Sequence, residues 1–359
     1  MNVMHLQLSG GIGGISVLCK DINRLSNNKN YFYFIFEGGC VADEIQLDGG
    51  IVESPCEKHT AYLSGAIRFA NYCKKHNIDV IICHSGAPIC RFYLIIAKLL
   101  NKNAKTILYL HANAEGYDIR DIKTVIDKKI LQKAHKISDV SVAISQSVKD
   151  SFVKLCNFNP DKIKVVYNGT DISRFYRAEK KSDTFEIIYT GRVFHSKGTD
   201  LLIKAVSKLD DDMDFHLSIV GSDTKEYTSN MKKLAEKMNV TDKITFYGFQ
   251  RDIPKFLSQA DLFVHPARCR EGFGITLIEA MSAQLPCVAF DRGAMNEIIT
   301  DGYNGFLVEK LSSSDLAQAI KKCYELYKNG SYEQMRTNAY ESVKRFSIEN
   351  AVKNLEELY

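Results

Sequence analysis

The sequence predicts an α/β protein of two Rossmann-like, doubly wound parallel-sheet domains that face an interdomain cleft. Three observations lead there. Short β-branched and aromatic runs alternate with amphipathic helical stretches along the chain, the rhythm of βα units. The runs are apolar without strict alternation, as expected of strands covered on both faces by helices. The chain of 359 residues, 45% hydrophobic and 25% charged, exceeds one ordinary domain and can bury two sizeable cores.

In the first half the strand candidates are VMHLQLSG, YFYFIFEG, DVIICHSG, TILYLHAN, DVSVAIS and IKVVYNG. In the second they are FEIIYTG, FHLSIVG, KITFYGF, LFVHPA, PCVAF and GFLVE. Most end in a glycine, serine or proline turn, which places chemistry at the carboxyl ends of the strands. The polar stretch from Asp171 to Asp183 breaks the rhythm and reads as a linker. The expected domains are therefore residues 1–170 and 171–340, with a final helical stretch, 341–359, returning to the first domain.

Composition excludes some classes of function. Formal charge is only +4, so no nucleic-acid partner is expected. Residues 1–170 hold 21 Lys/Arg against 15 Asp/Glu, which puts the basic surface in the first half. The ten cysteines show neither CxxC spacing nor paired clusters, and no secretory signal is read before them, so a reducing cytoplasmic setting is expected. No apolar run approaches the roughly 18 residues of a membrane span. The Asn168-Gly-Thr170 sequon is set aside for want of a secretory signal.

Three strand ends carry chemistry. Ser9-Gly-Gly-Ile-Gly-Gly14 follows the first strand and opens a helix, so backbone at Gly13 and Gly14 can approach a phosphate or sugar at a positive helix end. It can equally be a tight βα turn, and no acid beyond Glu37 completes a dinucleotide fingerprint. Gly191-Arg-Val-Phe-His-Ser-Lys-Gly198 puts the fork of Arg192 and the point charge of Lys197 at another tip. In Glu271-Gly-Phe-Gly-Ile-Thr-Leu-Ile-Glu279, Gly274 turns the chain into a helix whose free amides favour a diphosphate. The two glutamates, on the order of 12 Å apart at most if helical, can then each hold the hydroxyls of one sugar. The competing explanation is a pair of first-turn acids that merely stabilise the helix dipole, for about 0.3–1 kcal/mol each.

These segments, GRVFHSKGTDLL, KITFYGF, HPARCREGFGITLIEAMSAQLPCVAFDRGAMNEIITDGYNGFLV and VVYNGTDISRF, resemble the retaining, nucleotide-sugar-dependent glycosyltransferases of family four, which have the GT-B fold. The likeness spans nearly the whole chain, and the E-x7-E spacing after GR…KG is its most specific part. It implies that Arg192 and Lys197 bind the donor diphosphate, that Glu271 holds the donor sugar and that Glu279 holds the ribose. It implies further that backbone over Gly272, Phe273, Gly274, Ile275 and Thr276 meets phosphates and sugar, and that Tyr247-Gly-Phe249-Gln250 frames the base. Gly13 and Gly14 would approach the donor from the opposite domain, and His111 is similar to the family's cleft histidine near the sugar. Ala112 departs from the pattern, standing where an acid is common.

The catalytic set is thus Arg192, Lys197, Glu271 and His111. The expected reaction moves a hexose or N-acetylhexosamine from a UDP-sugar to a saccharide or lipid-linked saccharide with retention. The two-carboxylate spacing of retaining glycosidases is about 5–5.5 Å, and Glu271 and Glu279 lie too far apart along the chain for it. A same-face reaction follows, in which the leaving diphosphate accepts the acceptor's proton, and cleft closure about the linker would exclude water. No metal and no cofactor is expected: the spacing Asp210-Asp-Asp-Met-Asp214 reads as a solvated loop, Ser145, Ser147 and Asp150 as turn and capping residues, His84 and His265 as single packed histidines, and Glu297 as a first-turn acid.

For the acceptor, residues 91–136 hold ten Lys/Arg against four Asp/Glu, KKILQKAHK among them. This basic stretch suits peripheral contact with an anionic membrane at its cytoplasmic face. Lipopolysaccharide, O-antigen or capsule biosynthesis is the context that this idea and the family suggest. A nucleotide-sugar epimerase, a phosphorylase of the same fold and a non-catalytic sugar-nucleotide sensor are the rivals.

Overall fold

The computed structural model describes residues 1–11, 13–55, 62–118, 121–180, 182–222 and 225–359. Ile12 of the first glycine loop and Lys181 of the expected linker lie outside them. Every run read as a strand is one. They are β1 (Asn2–Gln7), β2 (Lys29–Phe34), β4 (Val80–Cys83), β5 (Lys105–Leu110), β6 (Val140–Ala143) and β7 (Ile163–Val165), then β8 (Phe185–Thr190), β9 (Phe215–Val220), β10 (Ile244–Gly248), β11 (Leu262–His265), β12 (Cys287–Phe290) and β13 (Gly305–Val308). The addition is β3 (Ile51–Glu53), a half-buried edge strand of three residues, too short to show a period.

The chain divides into two compact units, Met1–Tyr167 with Glu349–Tyr359, and Asn168–Ile348. The first holds a seven-stranded sheet of order β3-β2-β1-β4-β5-β6-β7 and the second a six-stranded sheet of order β10-β9-β8-β11-β12-β13. Pairing is parallel throughout. In each sheet the order reverses beside the first strand of the unit, between β1 and β4 and between β8 and β11, and these switch points are where such sheets bind ligands.

The second core forms because β8 sends Phe185, Ile187 and Tyr189 to one side, against Leu202, Ile203, Leu217 and Ile320. Each such side chain contributes about 1.5–3 kcal/mol when fully buried. Cover on both faces holds for β11 and β12, which are buried throughout, but fades at the edge. Across β8, β9 and the edge strand β10, Glu186 and His216 meet at 3.1 Å and His216 meets Thr245 at 2.9 Å.

The stretch expected to be a linker is pinned to the second unit instead. Asp261, only 1% exposed, accepts from Lys180 (2.5 Å), from Arg336 of the helix Tyr332–Val343 (2.6 Å) and from the Glu186 amide (2.9 Å). Ala178 donates its amide to the Ser258 carbonyl at 3.0 Å, and Arg177 pairs with Glu333. A buried carboxylate is tolerable only with such partners, and these partners fix the segment.

Several smaller readings are settled. Ser145 caps the helix Gln146–Cys156 by accepting the Val148 amide at 3.1 Å. Asp150 accepts from Gln146 in the same first turns at 2.6 Å. Asp210 pairs with Lys321 and Asp214 accepts from Thr184 in an exposed loop. The described cysteines are free thiols. Among the described residues, no helix is long and apolar enough to cross a membrane.

Candidate active site

At the second switch point, the loops after β8 and β11 are tied together by backbone. Gly198 sits at φ +72°, and a Cβ there would lie 1.8 Å from the Pro266 carbonyl oxygen. The Ser196 carbonyl accepts the amides of Arg268 (2.9 Å) and Cys269 (3.3 Å). Arg268 also donates to the His195 carbonyl at 2.8 Å and grips Asp200 with both nitrogens, at 2.6 and 2.7 Å. This two-pronged bond fixes both position and angle. The Tyr189 hydroxyl donates to the Arg192 carbonyl at 2.7 Å, so the loop is also held from below.

That scaffold brings Lys197 and Glu271 into direct contact, an ion pair with a hydrogen bond from Nζ to Oε1. His265, at the end of β11, places Nε2 3.5 Å from the same oxygen, within ion-pair range but without hydrogen-bond geometry. Cys269 directs its thiol to that oxygen at 3.6 Å. Burial alone would raise the Glu271 carboxyl, yet His265 and Lys197 hold it well below the usual range. The backbone of Glu271 is fixed as well. Its carbonyl accepts the Ala294 amide at 3.1 Å, and at Gly293 (φ +74°) a Cβ would approach that carbonyl oxygen to 2.1 Å.

Three residues on, Gly274 (φ +112°) is the N-cap of the helix Ile275–Ser282, and no side chain caps it. Leu277 is the first amide to bond back, to the Gly274 carbonyl at 3.0 Å, which leaves the amides of Ile275 and Thr276 at the open end. No acid stands in the first turn. The explanation of two first-turn glutamates serving the helix dipole therefore fails: Glu271 precedes the helix and Glu279 follows in its second turn. Glu279 is half-buried, and burial pushes its carboxyl up to about 7 against the opposing field of Arg174.

The remaining sequence candidates sit as follows. Arg192 is exposed on the β8 loop, and Phe249 is 62% exposed just past β10. Gly272 is half-buried. Phe273 turns its ring inward against Phe346, centroids 5.4 Å apart, so only its backbone faces the turn. In the first unit Gly13 and Gly14 have nothing within 4 Å of a notional Cβ, and the tight packing falls on Gly10, whose Cβ would meet the Gly38 carbonyl oxygen at 1.7 Å. The glycine loop is thus a packed turn at one end and open backbone at the other.

His111 stands just past β5, its Nε2 3.3 Å from Nδ1 of His84. His84 and His265 are packed, as read, since both are buried, but neither is single: each touches a candidate site residue. Their signal was position, a histidine at the carboxyl end of a parallel strand. The Arg268–Asp200 clamp and the Cys269 contact had none.

Comparison with known proteins bears on the family and the fold. The model of the family "Glycosyl transferases group 1" matches residues 173–342, and that of "Glycosyltransferase Family 4" matches residues 36–174. N-acetyl-alpha-D-glucosaminyl L-malate synthase of Bacillus anthracis is 27% identical over 83% of this chain and 78% of its own. Lipopolysaccharide core biosynthesis mannosyltransferase LpsB of Rhizobium meliloti is 34% identical over 38% of this chain and 43% of its own. The crystal structure of Anabaena Alr3699/HepE in complex with UDP superposes with a TM-score of 0.86 at 20% identity, covering 99% of both chains. The two matched halves, two doubly wound sheets and the joined loops at the second switch point together make the chain a glycosyltransferase of the family-four type, with the GT-B fold.

Proposed function

We propose that the second unit binds a UDP-sugar and that the enzyme transfers its hexose or N-acetylhexosamine, with retention, to a saccharide or lipid-linked saccharide. The observation that carries this reading is the Lys197–Glu271 pair beside the uncapped start of the helix Ile275–Ser282. Cation and amides suit a diphosphate; carboxylates suit hydroxyls. Lys197, Arg192 and the amides of Ile275 and Thr276 take the diphosphate, Glu271 the donor sugar and Glu279 the ribose. With its carboxyl raised to about 7, Glu279 can both donate and accept near neutral pH. Phe249 and its neighbours offer an exposed face for the base. In the first unit, His111, Gly13 and Gly14 offer an imidazole and open backbone to saccharide. The solved neighbour holding UDP supports the choice of base.

In the reaction we propose, the bond from the anomeric carbon to the diphosphate oxygen breaks. The acceptor hydroxyl bonds to that carbon on the same face, and its proton passes to the departing diphosphate. Lys197 and the helix amides stabilise the charge growing on the leaving group, and stabilisation of that kind accelerates the step. This route uses neither metal nor cofactor.

We assign the enzyme to surface-polysaccharide synthesis at the cytoplasmic face of a membrane. Support comes from the relative named for lipopolysaccharide core synthesis and from the helix Ile122–Ile137. That helix exposes Ile122, Val125 and Ile126 together with Lys123, Lys129, Lys133 and Lys136. Co-sedimentation with anionic vesicles that weakens in salt is the expected result, and no salt-sensitive binding would refute this assignment.

For the donor, a thermal-shift panel of UDP- and GDP-sugars should single out one UDP-sugar. Calorimetry should then show its affinity lost when Arg192, Lys197, Glu271 and Glu279 are neutralised together. Unchanged affinity would refute the site, and an isomerised sugar or a sugar phosphate as product would replace transfer with epimerase or phosphorylase chemistry.

A further inference from the structure

The first unit lines up three imidazoles: His5 on β1, His84 just past β4 and His111 just past β5. These strands are consecutive neighbours in the sheet. The row starts at Asn30, whose Oδ1 is 3.3 Å from His5 Nε2. His5 Nδ1 is 3.0 Å from His84 Nε2, and His84 Nδ1 is 3.3 Å from His111 Nε2. Successive rings are nearly parallel, at 23° and 27°. Asn30, His5 and His84 are buried, at 5%, 0% and 0% exposure.

A neutral imidazole has one donor and one acceptor nitrogen, so bonds in series must all run the same way. The Asn30 oxygen sets the direction, because it can only accept. His5 then carries its hydrogen on Nε2 and accepts at Nδ1 from His84 Nε2–H. His84 in turn accepts at Nδ1 from His111 Nε2–H. His111 is left with a lone pair on Nδ1, at the end of the row. Charge on the row is disfavoured: burial pushes His5 down to about 4 against the Asn30 bond, and His111 down to about 3. Burial, with the neighbouring imidazoles, holds His84 well below its ordinary value.

We infer that His5 and His84, anchored by Asn30, are positioning residues that lock His111 in its Nε2–H tautomer, so that it presents a neutral hydrogen-bond acceptor to a saccharide hydroxyl. The choice of ligand rests on the glycosyl-transfer reading; the tautomer does not. A neutral acceptor pairs with a hydroxyl and gains nothing from a phosphate, whereas an imidazolium would draw the phosphate. His5, Cys19 and His84 also bring ligand atoms within 4.8 Å of one another. The facing nitrogens of His5 and His84, 3.0 Å apart, are at hydrogen-bond distance and suit a shared proton, and added zinc is the test of the alternative.

Long-range proton–nitrogen NMR of the full chain with labelled histidine reads each tautomer directly. The expected result is three neutral Nε2–H rings. Asn30→Leu removes the far anchor without touching His111, and His84→Phe cuts the row. Each should lower the ratio of Nε2–H to Nδ1–H at His111 by roughly fivefold or more, the bias of one hydrogen bond. His84→Gln, which can still donate and accept, should keep more of that bias. The inference is overturned if His111 carries its hydrogen on Nδ1, or if its tautomer is unmoved in both Asn30→Leu and His84→Phe. It is also overturned if zinc ion added alone displaces the ring protons of His5 and His84. A chain with the expected tautomers that turns over no nucleotide sugar would refute the glycosyl-transfer reading and leave the lock intact. Turnover with the opposite tautomer would do the reverse.

Discussion

Replacing Glu279 with glutamine should stabilise the protein, and only above a definite pH. Burial raises the Glu279 carboxyl from about 4.5 in the unfolded chain to about 7 in the fold. A carboxyl with a raised folded value favours the fold while it is protonated. That contribution is fully present below about pH 4.5 and is lost as pH rises through about 7. The span of about 2.5 pH units, at about 1.4 kcal/mol per unit, sets a ceiling of ~3 kcal/mol. Glu279 keeps some contact with solvent, so we expect half of this, about 1–2 kcal/mol. At roughly 2–4 °C per kcal/mol for a unit of this size, Glu279→Gln should melt several degrees above the parent at about pH 8 and level with it at about pH 4.5. Calorimetric scans of both proteins at both pH values decide the matter. An unshifted melting temperature at pH 8, or an equal shift at the two values, would show that the carboxyl does not pay the burial penalty ascribed to it.

Other expectations follow from the same geometry. Lys197→Ala leaves Glu271 without its hydrogen-bonded cation and the leaving group without its positive charge, so steady-state turnover should fall by about 10²–10³-fold; near-normal turnover would contradict the assignment. Gly198→Ala and Gly302→Ala start from the same φ of +72°, but only at Gly198 would the new Cβ strike backbone, with nothing within 4 Å of it at Gly302. Urea titration should put Gly302→Ala about 1 kcal/mol below the parent and Gly198→Ala at least ~2 kcal/mol lower still; equal midpoints would refute the close approach. Asp261→Asn strands Lys180 and Arg336 and should cost about 3–5 kcal/mol in the same titration, with a loss under ~1 kcal/mol refuting a charge-held junction.

What could be read beforehand was whatever is local. Apolar runs ending in glycine or proline revealed both sheets, and a rotation of the chain at Gly274 revealed the helix start. Ser145 was legible as a cap because capping spans three residues. What could not be read was pairing between loops of different strands. Lys197 and Glu271 are 74 positions apart, and Arg268 and Asp200 are 68 apart. Only the crossover topology decides that they meet. The same holds for His5, which looks like one more residue of a buried strand until β1 is set beside β4. The segment after Asp171 misled for a related reason: its charges suggested solvent, while their partners, Asp261 and Glu333, lay far along the chain.

The helix Ile275–Ser282 begins on a residue that has no side chain with which to close its first turn. Elsewhere in this protein Ser145, Asp121, Asp252 and Ser312 do that job for their own helices, and a glycine in that place leaves a helix weaker by roughly a few tenths of a kcal/mol. An anion arriving there would take over the missing role, so occupancy and local order become a single equilibrium. Amide exchange over residues 274–277 should therefore slow in step with saturation, and those few protons would count bound molecules before any product is made.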